Sequence, residues 1–340
     1  MSVHKFIDTD PTIYSYWRSV VLFGRNVATY KLALARALLS VSGVKNDLIK
    51  IEDLAIPYAQ NICDHLKEYE KQGLAGGSAF LDACRKFNKK EITKDQLIHQ
   101  TCKHGFQYVL DKFHNVSGGK IKFDFYIDER RINKGIRLTD NLRKISDNDY
   151  LGILDDEAES RWRLVETAWG LGISPHLISI DYDQTDHQLK VEYKKERRTV
   201  TSCRGALNGY QKSVCFYCFG TIDIHRNIDV DVDHFFPFRL GRDGVLPNID
   251  GVWNLVLACK ECNRGENGKF DRIPSLQLLE RLYRRNEYLI ESNHPLRETL
   301  IAQTGLDEKR HVFLQNCYDL AKTSLAHANW HPAPKGKAIF

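Results

Sequence analysis

The sequence predicts an α+β chain with a helical N-terminal domain, a mixed α/β middle region, and a small cysteine-rich module that runs into C-terminal helices. Strong helix formers with one apolar side dominate the first third of the chain. After Gly119 apolar and polar residues alternate as in strands, and after Ser275 leucines recur at helical spacing. We therefore divide the chain into residues 1–118, 119–200, 201–275 and 276–340.

Three segments show the helical pattern most clearly. Tyr30–Ser40 is rich in alanine and leucine, and Ile51–Gln72 is similar, provided that Pro57 lies near its start. A third helix is predicted at Asp155–Leu171, because acidic residues open it and glycines follow its end. We interpret its acidic cluster as a solvated helix N-terminus that suits the helix dipole, rather than as a metal site.

Strands are predicted in the middle region. Ile121–Ile127 alternates in strand fashion. Leu177–Asp183 and Leu189–Tyr193 are typical of a hairpin whose turn is formed by residues 184–187. The middle region therefore combines strands with a helix.

The bulk composition describes an ordinary globular protein. Hydrophobic residues make up 42% of the 340 positions and charged residues 27%, which is enough apolar material for a sizeable core. Lys and Arg total 49 against 44 Asp and Glu, and the formal net charge of +5 permits nucleic acid as a partner without requiring it. Since no signal peptide and no apolar run of roughly 18–20 residues is apparent, we expect a soluble cytoplasmic protein without a membrane partner.

Two closely spaced pairs stand out among the nine cysteines, Cys215/Cys218 and Cys259/Cys262. In a reducing compartment such Cys-x-x-Cys pairs indicate metal binding rather than disulfides. Each pair can span one edge of a tetrahedron with Zn–S distances of about 2.3 Å, and four thiolates leave no open position for water. We therefore predict a structural Zn²⁺ held by these four side chains. The remaining cysteines are interpreted as buried small hydrophobic residues.

The two pairs are far apart along the chain, so a substructure must lie between them. Ile228–Asp233 alternates as in a strand and ends just before His234. Strand alternation places Asp233 and His234 on opposite faces unless the backbone bends there. A second strand is predicted at Leu255–Ala258, and a helix from Cys259 to Lys269.

The residues of this substructure have the chemistry that phosphodiester hydrolysis requires. The reaction needs a base for the attacking water, an electrophilic clamp on the scissile phosphate, and stabilisation of the leaving oxygen. Histidine titrates near neutral pH and can act as the base. Carboxylate and amide oxygens can hold a hard divalent cation as the clamp. Groups of these types are supplied by His234, Asp233, Asn254 and Asn263.

Their order along the chain resembles the HNH, or ββα-metal, nuclease superfamily, in the subgroup with two zinc knuckles. The resemblance covers Cys215–Pro274 and rests on the two cysteine pairs, Asp-His-x-x-Pro, Asn-Leu and Cys-Asn-Arg in that order. It implies that His234 is the general base and that Asn254 braces the loop that aims it. It also implies that Asp233 and Asn263 ligate a catalytic Mg²⁺ or Mn²⁺.

The resemblance also bears on the residues that contact phosphate. Members of the superfamily often carry a lysine soon after Cys-Asn-Arg, whereas here Glu266 comes first and Lys269 follows. Arg264 and Lys269 are therefore the candidates for nucleic-acid binding. The third letter of the motif is often histidine, and the asparagine found here suits a hard, oxygen-liganded ion rather than a catalytic zinc.

Simpler interpretations stay open for several of these residues. Asn254 can be a turn residue that hydrogen-bonds its own backbone, and Asn263 can cap a helix. A later basic group can either line a DNA path or form a solvated face. Its members are Arg281, Arg284 and Arg285.

We therefore expect an HNH endonuclease, a metal-dependent hydrolase that cuts phosphodiester bonds of double-stranded DNA. By analogy alone, its attached domains suggest a role in restriction or antiviral (anti-phage) defence. A homodimer or a protein of such a defence system is then a further expected partner. Two alternatives stay open: a non-catalytic zinc-ribbon protein that binds nucleic acid, and a nuclease that cleaves RNA.

Overall fold

A computed structural model divides the chain into two compact units, Pro11–Gly170 and a second unit that joins Met1–Asp10 to Leu171–Phe340. The structure describes residues 3–24, 28–73, 77–116, 119–146, 150–170, 180–183, 188–193, 196–225, 229–292, 297–325 and 329–339. Across these ranges, every helix is too short or too polar to span a membrane.

The unit Pro11–Gly170 is mainly helical. Its helices are Ile13–Phe23, Tyr30–Val41, Ile51–Glu68, Ala79–Asn88, Lys94–Gln100, Val109–Lys112, Arg130–Asn133, Asp140–Ser146 and Tyr150–Gly170, with a π-helical turn at Thr101–Gly105. Its strands form a three-stranded antiparallel sheet and a two-stranded ribbon. The sheet contains Leu48–Lys50, Gly135–Leu138 and Tyr126–Asp128 in that order, and the ribbon pairs Asn115–Val116 with Gly119–Lys120.

Side-chain caps determine where helices of this unit begin. The Thr12 hydroxyl accepts a hydrogen bond of 3.3 Å from the Ser15 backbone N–H at the start of the first helix. Thr93 and Gln96 form a reciprocal capping box at the start of the helix Lys94–Gln100. The helix Ile51–Glu68 carries its proline in the second turn and continues through it.

The acidic cluster of the last helix is not a helix N-terminus, and the sequence prediction is wrong on this point. The helix begins at Tyr150, so the carboxylates lie in its interior. Glu157 is buried and accepts two hydrogen bonds of 2.9 Å from the Arg18 guanidinium. Asp155 accepts two bonds of 2.8 Å from Arg36. These acids therefore fasten the long helix to its neighbours within the unit.

Replacing Arg18 by methionine is expected to destabilise this unit by about 3–5 kcal/mol, because the buried Glu157 then loses the two hydrogen bonds and the charge of the Arg18 guanidinium. Urea unfolding followed by circular dichroism measures the effect as a lower midpoint. The exposed pair of Lys67 and Asp64 gives a control, since K67M removes only a solvent-screened contact and should leave the midpoint unchanged. An R18M midpoint equal to that of the wild type would contradict the assigned role of the buried pair.

The second unit mixes helices and strands. Its helices are Val3–Asp8, Cys203–Gln211, Arg239–Arg242, Lys260–Arg264, Leu276–Glu291, Arg297–Thr304 and Glu308–Leu325, with a 3₁₀ turn at Val252–Asn254. Its strands form a three-stranded antiparallel sheet and a separate hairpin. The sheet contains Ile180–Asp183, Gln188–Tyr193 and Glu196–Ser202, and the hairpin contains Val230–His234 and Leu255–Cys259.

Two predicted strand segments have different outcomes. The hairpin of the middle region is confirmed by the pairing of Ile180–Asp183 with Gln188–Tyr193, while residues 177–179 of its first predicted strand and its turn, residues 184–187, lie outside the described residues. The strand predicted at Ile121–Ile127 is wrong in extent. Only Tyr126–Asp128 pairs with a neighbouring strand, because the residues before it hydrogen-bond to loop groups instead.

Candidate metal centre and active site

A hairpin and a short helix form the frame of the site. In the hairpin Val230 lies opposite Cys259, and His234 lies opposite Leu255. The second cysteine pair and the histidine are therefore at opposite ends of the hairpin. The second strand leads directly into the helix Lys260–Arg264. This is the strand–strand–helix order that the sequence predicts.

The helix is shorter than predicted, ending at Arg264 instead of continuing to Lys269. The backbone turns back there, so that the Lys269 N–H donates to the Cys262 carbonyl at 2.6 Å. Gly268 allows this return, because a Cβ at that position would lie 2.8–2.9 Å from the backbone of the preceding turn. The return places Lys269 close to the hairpin.

The four paired cysteines lie together at the end of the hairpin away from His234. The sulfurs of Cys215, Cys218, Cys259 and Cys262 all lie within 4.8 Å of one another. The Sγ atoms of Cys218 and Cys259 are 3.9 Å apart. A tetrahedral zinc site with Zn–S bonds of about 2.3 Å requires sulfurs about 3.8 Å apart. Both the donor chemistry and the spacing therefore fit a structural zinc ion.

The backbone of the first knuckle is shaped to present its sulfurs. Phe219 adopts a left-handed conformation with φ of 60°, and the Gly220 N–H donates to the Cys218 sulfur at 3.4 Å. Hydrogen bonds among the four thiols lower the pKa of Cys218 and Cys259, the latter to about 6, and raise the pKa of Cys215 and Cys262. The opposite directions reflect hydrogens shared between adjacent sulfurs, and the thiolate is the form of each side chain that binds metal.

The helix Leu276–Glu291 packs Arg281 against the same knuckle, so a solvated face does not describe this residue, while the DNA-path interpretation of the basic group stays a prediction. Its guanidinium donates to the carbonyls of Phe216 and Tyr217 at 2.6 and 2.8 Å. It also lies over the Phe219 ring, 3.9 Å from the centroid. Arg281 is therefore half-buried and supports the cysteine loop.

Arg285 supports the second strand in the same way. It is completely buried and donates to the Leu255 carbonyl at 2.7 Å. Asn286 beside it donates to the Trp253 carbonyl at 3.0 Å. Of the three arginines in this group, Arg284 alone is exposed. The basic pattern in the sequence thus reflects carbonyl groups that need donors inside the unit.

The C-terminal tail also fastens the first knuckle. The backbone N–H groups of Lys335 and Gly336 donate to the Cys218 carbonyl at 2.7 and 3.2 Å. Gly336 is required there, because a Cβ would lie 2.1 Å from the Phe219 carbonyl oxygen. The Lys335 ammonium pairs with Glu261 between the cysteines of the second knuckle. The tail therefore ties the two knuckles together.

Removing one sulfur tests the metal centre. C262A is expected to lose the zinc found in the purified wild-type chain and to lower the melting temperature, because structural zinc binding is worth about 10–16 kcal/mol in zinc-finger peptides. Elemental analysis measures the zinc and calorimetry the melting temperature. C203A is the matched control, since Cys203 is equally buried but outside the cluster. Retention of a full equivalent of zinc by C262A would contradict the four-sulfur site.

Asn254 joins the second strand to the loop that follows His234. Its side-chain carbonyl accepts from the Phe236 N–H at 2.8 Å, and its amide donates to the carbonyls of Phe236 and Ile249 at 3.1 and 2.9 Å. Its backbone carbonyl accepts from the Phe235 N–H at 2.7 Å. The side chain is completely buried. These bonds reach well beyond its own backbone, so the simple turn interpretation does not describe them.

His234 lies at the end of its strand and is 8% exposed. Its Nε2 is 2.8 Å from the Asp250 carboxylate, and its ring lies 5.5 Å from the ring of Phe238. Asp233 contacts other groups, as strand alternation predicts for a neighbouring residue. The histidine is thus held by the loop that precedes the second strand.

Asp233 is buried between two partners. It accepts a hydrogen bond of 2.6 Å from the Tyr217 hydroxyl, and its other oxygen is 3.4 Å from the Lys269 ammonium. Burial raises the pKa of the Asp233 carboxyl, an effect that Lys269 and Tyr217 oppose. Lys269 is only 1% exposed. In this arrangement the lysine neutralises a buried acid instead of presenting its charge to a ligand.

Asn263 and Arg264 both contact Asp231. The Asn263 amide donates to this carboxylate at 3.1 Å, and the Arg264 guanidinium makes two contacts of 3.0 Å with it. Asp231 and Asp233 share a strand face because they are two residues apart. Among the described residues, the side chains of Asp233 and Asn263 share no hydrogen-bond partner. The carboxylates of Asp231 and Asp233 and the amide of Asn263 are of the types that ligate a divalent cation, but each already contacts another protein group.

The structure therefore brings some predicted site residues together and separates others. His234 and Asn254 meet through the loop between them, and the four cysteines form one cluster. Sequence reasoning missed Asp250, which lies in a turn that no sequence pattern singles out, and Tyr217, which lies inside the first knuckle. Asp231 was recognisable from strand alternation, which places it on the face of Asp233.

No family model matches this sequence, and no curated protein or solved structure matches it.

Proposed function

We propose that the chain is a metal-dependent endonuclease of the HNH type that hydrolyses DNA phosphodiester bonds. The observation that carries this proposal is the joint placement of His234 and Asn254 on a hairpin that begins and ends at a four-cysteine cluster. A zinc ribbon that only binds nucleic acid has no need for a histidine held this way. The proposal therefore depends on the site and not on the fold.

His234 is the proposed general base. It stands at the end of a strand whose opposite end is fixed by the cysteine cluster. Its Nε2 is hydrogen-bonded to a carboxylate at 2.8 Å, and a base oriented by a third group is the usual arrangement for activating a nucleophile. Asn254 holds the following loop in place, so that the imidazole keeps its direction during proton transfer.

Oxygen donors for a divalent cation lie on the neighbouring strand face. Asp231, Asp233 and Asn263 supply carboxylate and amide oxygens, which are the ligand types that Mg²⁺ and Mn²⁺ prefer. When bound, such an ion polarises the phosphate and stabilises the leaving oxygen. Arg264, which pairs with Asp231 and has a side chain 55% exposed, is the proposed contact to a backbone phosphate.

One observation favours a second candidate, a non-catalytic zinc-ribbon protein that binds nucleic acid. Lys269 already neutralises Asp233, and Asn263 already donates to Asp231. Such pairings are what a purely structural face would show. The two candidates differ in one property, because only the nuclease turns over DNA when a divalent cation is added. A binder holds the same DNA equally well whether or not Mg²⁺ is added.

Replacing His234 by alanine separates the candidates. In a plasmid assay with Mg²⁺ or Mn²⁺, the wild type is expected to cut, and H234A to cut about 10²–10⁴-fold more slowly because the base is lost. Zinc content and circular dichroism should stay unchanged, since the cluster lies at the other end of the hairpin. Matched DNA and RNA duplexes, assayed in parallel, identify the nucleic acid that is cut.

The control for this assay is H311A, because His311 lies exposed on the last helix of the same unit. It should cut at the wild-type rate. Full activity in H234A would contradict the nuclease proposal. So would a wild type that binds DNA but does not cut it with either metal, and the binding protein would then be the remaining candidate.

A further inference from the structure

We propose that Asp250 is a positioning residue that holds the imidazole of His234 with its proton on Nε2 and its lone pair on Nδ1. The juxtaposition that carries this inference is the 2.8 Å contact between His234 Nε2 and the Asp250 carboxylate oxygen Oδ1. The inference rests on the proposed function, because it names the partner of the proposed base and the nitrogen that accepts the proton from water.

The chemistry of the contact determines where the proton lies. An ionised carboxylate has only acceptor atoms, so the hydrogen between the two groups must belong to the imidazole. A neutral imidazole carries a single N–H, and a proton on Nε2 leaves the lone pair on Nδ1. The Asp250 contact therefore selects one of the two tautomers of His234 and makes Nδ1 the basic atom.

The segment that carries Asp250 is a turn whose backbone is held by hydrogen bonds. The Asn248 carbonyl accepts from the Gly251 N–H at 2.9 Å and from the Trp253 indole N–H at 3.0 Å. Asn248 itself has a left-handed backbone with φ of 47°, a conformation that asparagine tolerates better than most residues. Ile249 is buried beneath the turn. The carboxylate thus projects from a fixed backbone.

Asn254 links the turn to the histidine. Its amide nitrogen donates both to the carbonyl of Ile249, just before Asp250, and to the carbonyl of Phe236, two residues after His234. One buried side chain therefore determines the separation of the acid from the imidazole. The role of Asn254 extends from bracing a loop to setting the geometry of the His234–Asp250 pair.

The partial exposure of Asp250 limits the effect that this carboxylate has on kcat. Its side chain is 34% exposed, whereas that of His234 is 9% exposed. In serine proteases, loss of the buried carboxylate that orients the base lowers kcat about 10⁴-fold. A partly exposed carboxylate is screened by water. We expect D250A to lower kcat on the order of 10²-fold, with the dissociation constant for DNA unchanged.

The decisive test is the tautomer of His234 in the full chain. Nitrogen NMR of protein labelled with ¹⁵N-histidine, near pH 8, distinguishes a protonated ring nitrogen from one with a lone pair. The H234A spectrum assigns the resonance among the 13 histidines. The wild type is expected to show a protonated Nε2 and an unprotonated Nδ1, and D250A a mixture of both tautomers. This result does not depend on nuclease activity.

D243A serves as the control, because Asp243 is exposed and lies in the same connection between the strands. It should leave both the spectrum and the rate unchanged. A proton on Nδ1 in the wild type would overturn the inference, as would an unchanged His234 resonance in D250A. If the tautomer is as expected but no cleavage occurs, the nuclease proposal fails while the His234–Asp250 pair stands.

Discussion

Convergence of four sulfurs at one end of a short hairpin is the constraint on which the site depends. Two strands of five residues each and a helix of five residues bury too little apolar surface to hold a fixed shape alone. A zinc ion held by the four sulfurs would add metal–ligand bonds to the packing of the hairpin against its neighbours. Around it, Arg281 and the C-terminal tail hydrogen-bond to the first knuckle, so distant parts of the chain support the same point.

The side-chain amide of Asn254 holds the other end of the hairpin, where His234 lies. Asn254 is buried, and its side chain makes one acceptor and two donor contacts with two loop segments that both precede it in the chain, at Phe236 and at Ile249. Because an unsatisfied buried polar group costs about 1–3 kcal/mol, these loops are held firmly by the bonds they share. Asp250 lies in one of these segments, and His234, the last residue of its strand, immediately precedes the other, so their contact follows from that arrangement. Zinc bound by the four cysteines would fix one end of the hairpin, and the asparagine holds the His234 end.

The sequence was most informative where chemistry restricts the choice of residue. Paired cysteines at short spacing predicted the cluster, and alternation predicted the strand that ends at His234. Prediction failed where partners come from elsewhere in the chain. The acids of the helix Tyr150–Gly170 and Arg281 looked solvated, because neither their buried partners nor the carbonyls they serve are visible in a local pattern. Lys269 became buried for the same reason, since the glycine turn that returns it to Asp233 shortens the helix.

The most direct test of this account is zinc K-edge X-ray absorption on the full chain purified without added metal. The account predicts one zinc per chain, with a first shell of four sulfurs at about 2.3 Å and no light-atom ligand. Such a shell requires both knuckles to meet around one ion. A first shell that contains nitrogen or oxygen, or a chain that folds without bound zinc, would contradict it.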